Sequence, residues 1–483
     1  MYNGKGDSPM KKSYKNKHGL SKKETLIYGI ANGGQVFGYS LVTSYLMYFY
    51  LNVFQVNAKI ISAVFLIGGI WDIINNPLIG MMIDHKNNAL GKQTEIIRHF
   101  TPLQCMVTIL IFMGPIFIKS NSDTSLSKII YLVLTYFLWE FFYSVTDVAF
   151  GGLVAVISPK PKDRQKAISV SNICNQLSAS LVVIAIPIML DISKSGKTGI
   201  SLEWVFVIMG LLAGIIGVGL FSLSGYFVKE RITQTKEKQS INEILHCVIH
   251  NKPLLLLLLS NLITSLSGIG EAFSTYYYLD VLGYASMSII VAAPAFVISI
   301  FSYSLIKFGK RFFNNKHLFI LSNLGAAAAQ LILFFIGLNH YANLKVMLPS
   351  MIICNCIVAL FAGVLNTLPT EMLTEATDYA EWKTGIRAEG IAFSLKISVV
   401  KVYGTLAQGF AVFLLSIIGY VSATSAQAVV QTDTVQQRIW IVYSIIPVIV
   451  RIVSSIPVFF YNIVGEERAR MFNELKIKRN GPI

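Results

Sequence analysis

The sequence predicts an all-α integral membrane protein in which twelve transmembrane helices form two six-helix bundles, with both termini in the cytoplasm. Of its 483 residues, 54% are hydrophobic and only 13% are charged, whereas charged residues make up about 25% of an ordinary soluble domain. Apolar runs of roughly 20 residues, the length that a helix needs to cross a bilayer, recur along the chain. Basic residues concentrate in alternate connecting segments, which gives the orientation.

The apolar runs predict the positions of the helices and divide the chain into two helix bundles, a loop and two tails. The helices cover about 25–53, 58–83, 101–118, 129–157, 167–192, 203–228, 253–282, 286–306, 318–338, 345–368, 388–420 and 437–463. We expect a polar, lysine-rich and disordered N-terminal tail at 1–24 and a C-terminal tail at 464–483. Between them we expect a first bundle at 25–228, a central loop at 229–252 and a second bundle at 253–463.

The basic residues place both tails and the central loop in the cytoplasm. Thirty of the 40 Lys and Arg lie in the two tails, the central loop and the segments 84–100, 159–166, 307–317 and 369–387, and the alternate loops hold seven. Such an asymmetry marks the cytoplasmic side. The net charge of +15 is therefore a topology signal that also suits anionic lipid. We expect a lipid bilayer and no nucleic acid as a partner.

The two halves of the chain contain similar sequence stretches at matching positions. The stretch Ser44–Phe54 and the stretch Ser274–Gly283 are both aromatic-rich, and they contain Asn52-Val53 and Asp280-Val281 at matching places. Gly91-Lys92 after the second helix is likewise matched by Gly309-Lys310 after the eighth. Parallel six-helix repeats with a substrate site between them describe the major facilitator architecture.

The most informative polar residues interrupt the second apolar run. Asp72, Asn75 and Asn76 fall at i, i+3 and i+4, on one helical face, and Pro77 frees a backbone carbonyl beside them. A charge at this depth costs at least ~2.5–3.5 kcal/mol, so it indicates function. These oxygen atoms could hold Na⁺, a proton on Asp72, or a sugar hydroxyl. Alternatively, Asp72 pairs permanently with Lys401, which would make the protein an uncoupled carrier.

Further polar residues lie within other predicted spans. Asp147 and Glu140 share a face of helix 4, with Ser144 between them, and Lys401 in helix 11 needs a carboxylate partner such as Asp72 or Asp147. The cation candidates are Asp72, Asn75, Asn76, Ser144 and Asp147. The substrate candidates are Asp147, Lys401, Gln35, Asn32, Tyr143 and Asn172, because sugar pockets combine polar groups with aromatic faces. Helix–helix hydrogen bonds use the same residue types.

A second group of charges predicts an inner gate. Cytoplasmic residues Asp378, Glu381 and Arg387 belong to a segment dense in opposite charges. We expect this segment to pair with the segments at 84–100 and 159–166 when the protein faces outward. Asp84 and Lys92 are the candidates on the first of these, and a solvated loop is the alternative.

Five stretches of this chain resemble the glycoside–pentoside–hexuronide:cation symporters, the group that includes melibiose permease. They are Tyr45–Tyr50, Trp71–Pro77, Tyr143–Asp147, Asp378–Lys383 and Ile391–Lys401. The resemblance implies sugar or glycoside uptake driven by Na⁺, H⁺ or Li⁺. It implies that Asp72 and Asn75 bind the cation, that Ser144 and Asp147 are the helix 4 site positions, and that Lys401 links the cation and sugar sites. Asn76 stands where family members usually have a second carboxylate.

These features favour a secondary transporter that imports a sugar or glycoside with a monovalent cation, Na⁺ or H⁺. The alternative is an uncoupled facilitator or exchanger of a sugar or another small solute. The sequence shows no metal-spacing histidines, no nucleophile–base pattern and no phosphate loop, so we expect neither an enzyme nor a cofactor or metal beyond a transported Na⁺. We also expect a monomer in the plasma membrane.

Overall fold

A helix corresponds to each of the twelve predicted ranges, with ends that differ by several residues. The computed structural model describes residues 19–85, 91–120, 122–158, 160–195, 199–231, 250–384, 389–421 and 430–480. The first half contains α1 (Lys22–Tyr48), α2 (Ala58–His85), α3 (Lys92–Phe112), α4 (Leu126–Val156), α5 (Pro161–Lys194) and α6 (Leu202–Phe227). The second half contains α7 (Lys252–Val281), α8 (Met287–Gly309), α9 (Asn315–His340), α10 (Leu344–Thr384), α11 (Glu389–Ile418) and α12 (Asp433–Phe459), followed by α13 (Gly465–Asn480).

Most of these helices suit a membrane. Within the described residues, eight helices are long and apolar enough to cross a bilayer, and α2, α8 and α11 each contain a shorter apolar segment. The remaining helix, α1, carries polar residues such as Asn32 and Gln35 and several glycines, which lower its apolar character. The count of twelve spans therefore stays a prediction, whereas the all-helical architecture is clear.

Glycines let α1 pack closely against α5 and α6. A Cβ on Gly33 would lie 2.9 Å from the Ser178 hydroxyl on α5. On the opposite side, a Cβ on Gly34 would collide with the backbone carbonyl of Gly217 and lie 2.9 Å from Cβ of Leu220, both on α6. Close approach of helix backbones at small residues is a common way to pack membrane helices.

Helices α1 and α7 end in the same unusual way. A π-helical segment, Phe49–Val53, follows directly after α1, and another, Tyr277–Val281, forms the end of α7. The backbone hydrogen bonds that follow also match: Val56 N donates to Tyr50 O, and Tyr284 N donates to Tyr278 O. Single-turn π segments are rare in proteins. Their presence at corresponding places supports the internal repeat that the aromatic stretches predict.

The cytoplasmic segment after α10 differs from the expectation. We expected a loop over 369–387, but α10 continues as a helix to Thr384. The reason is tertiary: Lys310 pairs with Glu371 at 2.6 Å, and Arg468 pairs with the buried Glu375 at 2.8 Å. Residues 385–388, with Arg387, lie outside the described part of the chain.

The C-terminal tail also contains structure. Helix α13 buries Met471 and Leu475 in a cluster with Met372 and Leu373 of α10. The Trp382 indole N–H donates to the Glu474 carboxylate at 2.6 Å. Helix α13 is thereby attached to the cytoplasmic extension of α10. At the other end of the chain, the described part of the N-terminal tail includes a helix cap, since Ser21 and Glu24 form a capping box at the start of α1.

We predict that Gly34→Ala destabilises the protein, because the added methyl group meets the α6 backbone, which cannot move aside cheaply. Overpacking of this kind costs about 1–3 kcal/mol. The melting temperature of the purified protein in detergent should therefore fall. Gly219→Ala on α6 is the control, since a Cβ there meets nothing within 4 Å and alanine favours a helix. Equal melting temperatures for the two variants would contradict the packing account.

Candidate functional site

The two halves are joined at their outer end by the ends of α5, α7 and α8. The Asp191 carboxylate on α5 accepts hydrogen bonds from the backbone N–H groups of Ala285 (2.7 Å) and Ser286 (2.8 Å), just before α8. Lys194, also on α5, lies 3.8 Å from the Asp280 carboxylate and donates to the Leu279 carbonyl at 3.1 Å. Charged groups of the first half are thus fastened directly to the second.

The repeated π segments meet at this same junction. The Tyr420 hydroxyl, beyond the end of α11, lies 2.9 Å from Oδ2 of Asp280 and 3.0 Å from Oδ1 of Asn52. The Tyr48 and Tyr276 rings pack against each other with centroids 5.8 Å apart. Because these residues come from both halves, the outer end of the space between the halves is closed.

Several cytoplasmic interactions of charged residues fall within single halves. In the first half, Arg231 pairs with Glu24 at 2.9 Å, and Glu230 accepts from the backbone N–H groups of Gly91 and Thr94 at the start of α3. In the second half, Lys310 pairs with Glu371. The contacts at the outer end join the two halves there, as in an inward-facing arrangement.

A cavity of about 430 Å³ lies between the halves beneath the outer closure. Residues from α1, α4 and α5 line it on one side, and residues from α7, α8 and α11 line it on the other. Thr43 and Gln408 lie on the two sides, and the Gln408 amide donates to the Thr43 carbonyl at 2.8 Å. The volume falls within the roughly 300–1,000 Å³ typical of small-molecule sites.

Stacked aromatic rings form one wall. Tyr39 of α1 and Trp139 of α4 line the cavity. Tyr143 stacks against both, with centroids 4.9 Å from Tyr39 and 5.2 Å from Trp139. The sequence indicates Tyr143 and Trp139 as stacking candidates, but it gives no reason to single out Tyr39. A flat apolar face suits the apolar side of a sugar ring.

Two carboxylates face the same cavity from opposite halves. Glu140 lines it from α4 and Glu271 lines it from α7. The sequence leaves both assignments open, because a glutamate in a helix can equally pair with a neighbouring helix. Both also interact with other groups of the protein: Glu140 has a partner within the protein, and Glu271 interacts electrostatically with Arg451 of α12.

The predicted substrate residues lie on the cytoplasmic side of this cavity. On α5, the exposed residues Gln165, Ser169, Asn172 and Gln176 share a face with Val183 and Pro187, which line the cavity. On α1, Gln35 lies one turn from Tyr39, and on α4 Asp147 lies two turns from Glu140. The sequence therefore indicates the right helix faces. The candidate residues on these faces lie one or more turns closer to the cytoplasm than the cavity does.

Three predicted residues bury polar atoms that have no hydrogen-bond partner in the described structure: Gln35 Nε2, Asn75 Nδ2 and Ser144 Oγ. Buried polar groups are normally paired, and the amide O and N of Asn or Gln can be exchanged. The Asn75 amide and the Ser144 hydroxyl can therefore each offer oxygen to a cation. Asn32 differs, because its amide donates to Ser171 of α5 at 2.6 Å, as a helix–helix contact would.

Helix register brings the predicted cation residues to one level. A Cβ on Gly68 of α2 would lie 2.7 Å from the Tyr136 ring of α4, so Asn75 and Tyr143, each two turns further on, share a level. Across the halves, Ser62 of α2 donates to the Gly409 carbonyl of α11. A Cβ on Gly69 would lie 2.9 Å from the Leu406 side chain.

The same antiparallel register between α2 and α11 carries the backbone of Asp72 towards that of Lys401. The helical positions of both residues are described, but their side chains, like those of Asn76 and Asp84, lie outside the described part of the structure. The linking role of Lys401 stays a prediction.

The predicted gate residues that can be described lie at the cytoplasmic end. Lys92 begins α3 next to Gly91, whose positive φ of 99° suits glycine. Asp378 is buried and Glu381 is half-buried on the extension of α10. Their pairing in the outward-facing state stays a prediction.

Comparison with known proteins identifies the family. The model of the family described as MFS/sugar transport protein matches residues 27–465. The chain belongs to this family. It is similar to a symporter of Bacillus subtilis, YjmB (28% identity, 85% of this chain and 87% of that one), and to the isoprimeverose transporter of Lactiplantibacillus pentosus (26% identity, 94% and 91%).

The fold agrees with this membership. The inward-open xylose transporter XylE from E. coli superposes with a TM-score of 0.60 over 94% of this chain and 99% of that one, at 17% identity. The protein is therefore a multi-pass transporter of the cytoplasmic membrane with the major facilitator fold, and it is not an enzyme. The resemblance to the glycoside–pentoside–hexuronide symporters is confirmed.

We predict that Asp191→Ala moves this transporter towards an outward-open state, because the outer junction loses two charge-assisted hydrogen bonds, each worth about 1.5–3 kcal/mol. With the five native cysteines replaced and Gln408→Cys introduced, a membrane-impermeant maleimide should label the cavity faster from outside. Glu203→Ala, near the start of α6 at the same membrane face, is the control. Unchanged labelling in Asp191→Ala would show that the junction does not hold the outer end closed.

Proposed function

We propose that this transporter imports a sugar or glycoside together with a monovalent cation, as a monomer, by alternating access. The observation that carries the proposal is the cavity between the halves, which combines stacked rings with hydrogen-bonding groups from both halves. Similarity to the isoprimeverose transporter supports a sugar as the substrate. The inward-facing structure would represent the state that releases substrate into the cell.

The two carboxylates of the wall are also compatible with a sugar. Glu140 and Glu271 approach the cavity from opposite halves. Sugar hydroxyls can donate hydrogen bonds to carboxylates.

The cation would bind between α2 and α4, on the cytoplasmic side of the sugar cavity. The helix positions of Asp72, the Asn75 amide, the Ser144 hydroxyl and Asp147 support this placement. One or two carboxylates with neutral oxygen ligands suit Na⁺, and a single desolvated carboxylate suits a proton. We propose Na⁺ or H⁺ as the coupling ion.

Asn76 favours a second candidate function. Where family members usually have a carboxylate, this chain has an amide, so the cation site carries less charge. If Asp72 instead pairs permanently with Lys401, the protein would be an uncoupled facilitator or an exchanger. The two functions differ in one measurable property, namely accumulation of substrate against its gradient.

We predict that Asp72→Asn abolishes cation-driven accumulation and that Lys401→Ala impairs all transport, because the first removes the coupling charge and the second removes the link between the sites. Uptake into proteoliposomes with an imposed Na⁺ or H⁺ gradient measures both. Asp123→Asn, in an exposed outer loop, is the matched control. Undiminished concentrative uptake by Asp72→Asn would exclude a coupling role, and the absence of accumulation in the unmodified protein would favour the facilitator.

We predict that a glycoside, pentoside or hexuronide raises the melting temperature of the purified protein, because the cavity combines stacked aromatic rings with hydrogen-bonding groups. The screen is run with and without Na⁺, which also reports on the coupling ion. Trp139→Ala should weaken the response to the effective sugar by about tenfold in concentration, since it removes part of the aromatic wall. Trp204→Ala is the control, because Trp204 is 54% exposed at the outside of the bundle. A screen in which no sugar of these three classes stabilises the protein would contradict the assignment of a sugar substrate.

A further inference from the structure

A second cavity, of about 240 Å³, lies inside the second half, among α7, α9, α10 and α12. All of its described lining residues belong to the second half, and none of them lines the cavity between the halves. Its wall includes polar side chains: Asn261 and Thr264 come from α7, Asn323 from α9 and Asn366 from α10. Transport through the central cavity gives no role to this set of residues.

The charged group in this wall is Arg451 of α12, and none of the described lining residues is acidic. The Arg451 Nε donates to Oε1 of Gln330 on α9 at 3.0 Å. That bond uses one of the five N–H donors of a guanidinium and neutralises none of its charge. A cation at membrane depth normally pairs with an anion, because leaving it unpaired in an apolar surrounding is costly.

The acidic group with which Arg451 interacts electrostatically is Glu271. The two form no direct ion pair among the described salt bridges, and their backbones lie at different levels. Ser260 of α7 donates to the Ser454 carbonyl of α12, and a Cβ on Gly270 would lie 2.8 Å from the Pro447 ring. Arg451 therefore lies near the level of Thr264, about two turns closer to the cytoplasm than Glu271, which lines the other cavity.

The cavity reaches towards the cytoplasmic end of the bundle. Val458, close to the end of α12 at Phe459, belongs to its wall, as do Leu257 of α7 and Met372 of α10. Seven residues separate Val458 from Arg451, which corresponds to roughly 10 Å along a helix. An anion could therefore reach the guanidinium from the side of the membrane on which most basic residues lie.

We propose that this cavity is a binding site for a phosphate-type oxyanion, held by the Arg451 guanidinium and by the side-chain amides of Asn261, Asn323 and Asn366. A planar guanidinium matches the paired oxygens of a phosphate or carboxylate, and the amide N–H groups supply further donors. The volume accommodates an anion of this size with some water. Inorganic phosphate and the phosphate of an anionic lipid headgroup share this chemistry.

The test measures the melting temperature of the full-length protein in detergent. One arm titrates sodium phosphate against sodium gluconate at constant Na⁺, and the other adds phosphatidylglycerol or phosphatidylcholine. We expect a saturable rise of about 2 °C with phosphate, with phosphatidylglycerol, or with both, and the responding arm identifies the source. Arg451→Gln should abolish the rise. Arg438→Gln should keep it, because Arg438 lies at the opposite end of α12 and donates to the Ile418 carbonyl.

Phosphate also stabilises proteins non-specifically through exclusion from their surfaces, so the difference between the variants is the decisive quantity. If Arg451→Gln does not fold, Asn366→Leu and Asn323→Leu replace it, because both keep the arginine and remove amide donors, and each should reduce the rise at least twofold. An unmodified protein that responds to neither phosphate nor phosphatidylglycerol would overturn the proposal. So would a rise that persists in Arg451→Gln or in both leucine variants.

Discussion

The closure at the outer end is the interaction on which the rest of this structure depends. The two halves are held together there by contacts of five residues: Asp191, Lys194, Asn52, Asp280 and Tyr420. With that end closed, the space between the halves becomes a cavity with a defined wall, and the cytoplasmic ends can keep their ion pairs within each half. The polar residues of the helix interiors then face a shared interior space and not lipid, which is the condition under which such residues are tolerated in a membrane.

The architecture could be predicted from the sequence because a bilayer imposes simple rules. Apolar runs long enough to span it marked the helices, and the distribution of lysine and arginine gave an orientation that suits the fold. The cytoplasmic extension of α10 followed no such rule. Its charged sequence looks like a solvated loop, and what keeps it helical is contact with distant residues such as Lys310 and Arg468. Tertiary contacts of this kind leave no local pattern.

The candidate site was predictable in part for the same reason. A polar residue within an apolar run stands out, so Gln35, Asn75, Ser144 and Asp147 could be selected, and the first three bury unpaired polar atoms. Tyr39 could not be selected, because aromatic residues are common in packed helices and only the stacking with Trp139 and Tyr143 distinguishes it. The depth of the cavity in the membrane could not be predicted from the sequence either, since it depends on where the helices of the two halves cross.

The matching π segments at the ends of α1 and α7 have a consequence for the history of the chain. Each such turn accommodates one residue more than an α-helical turn. The simplest origin for the same feature in both halves is an ancestral six-helix unit that already contained it before that unit was duplicated. On this view Asn52 and Asp280 are descendants of one ancestral position, and their divergence into an amide and a carboxylate gave two originally identical halves different charges at their meeting point.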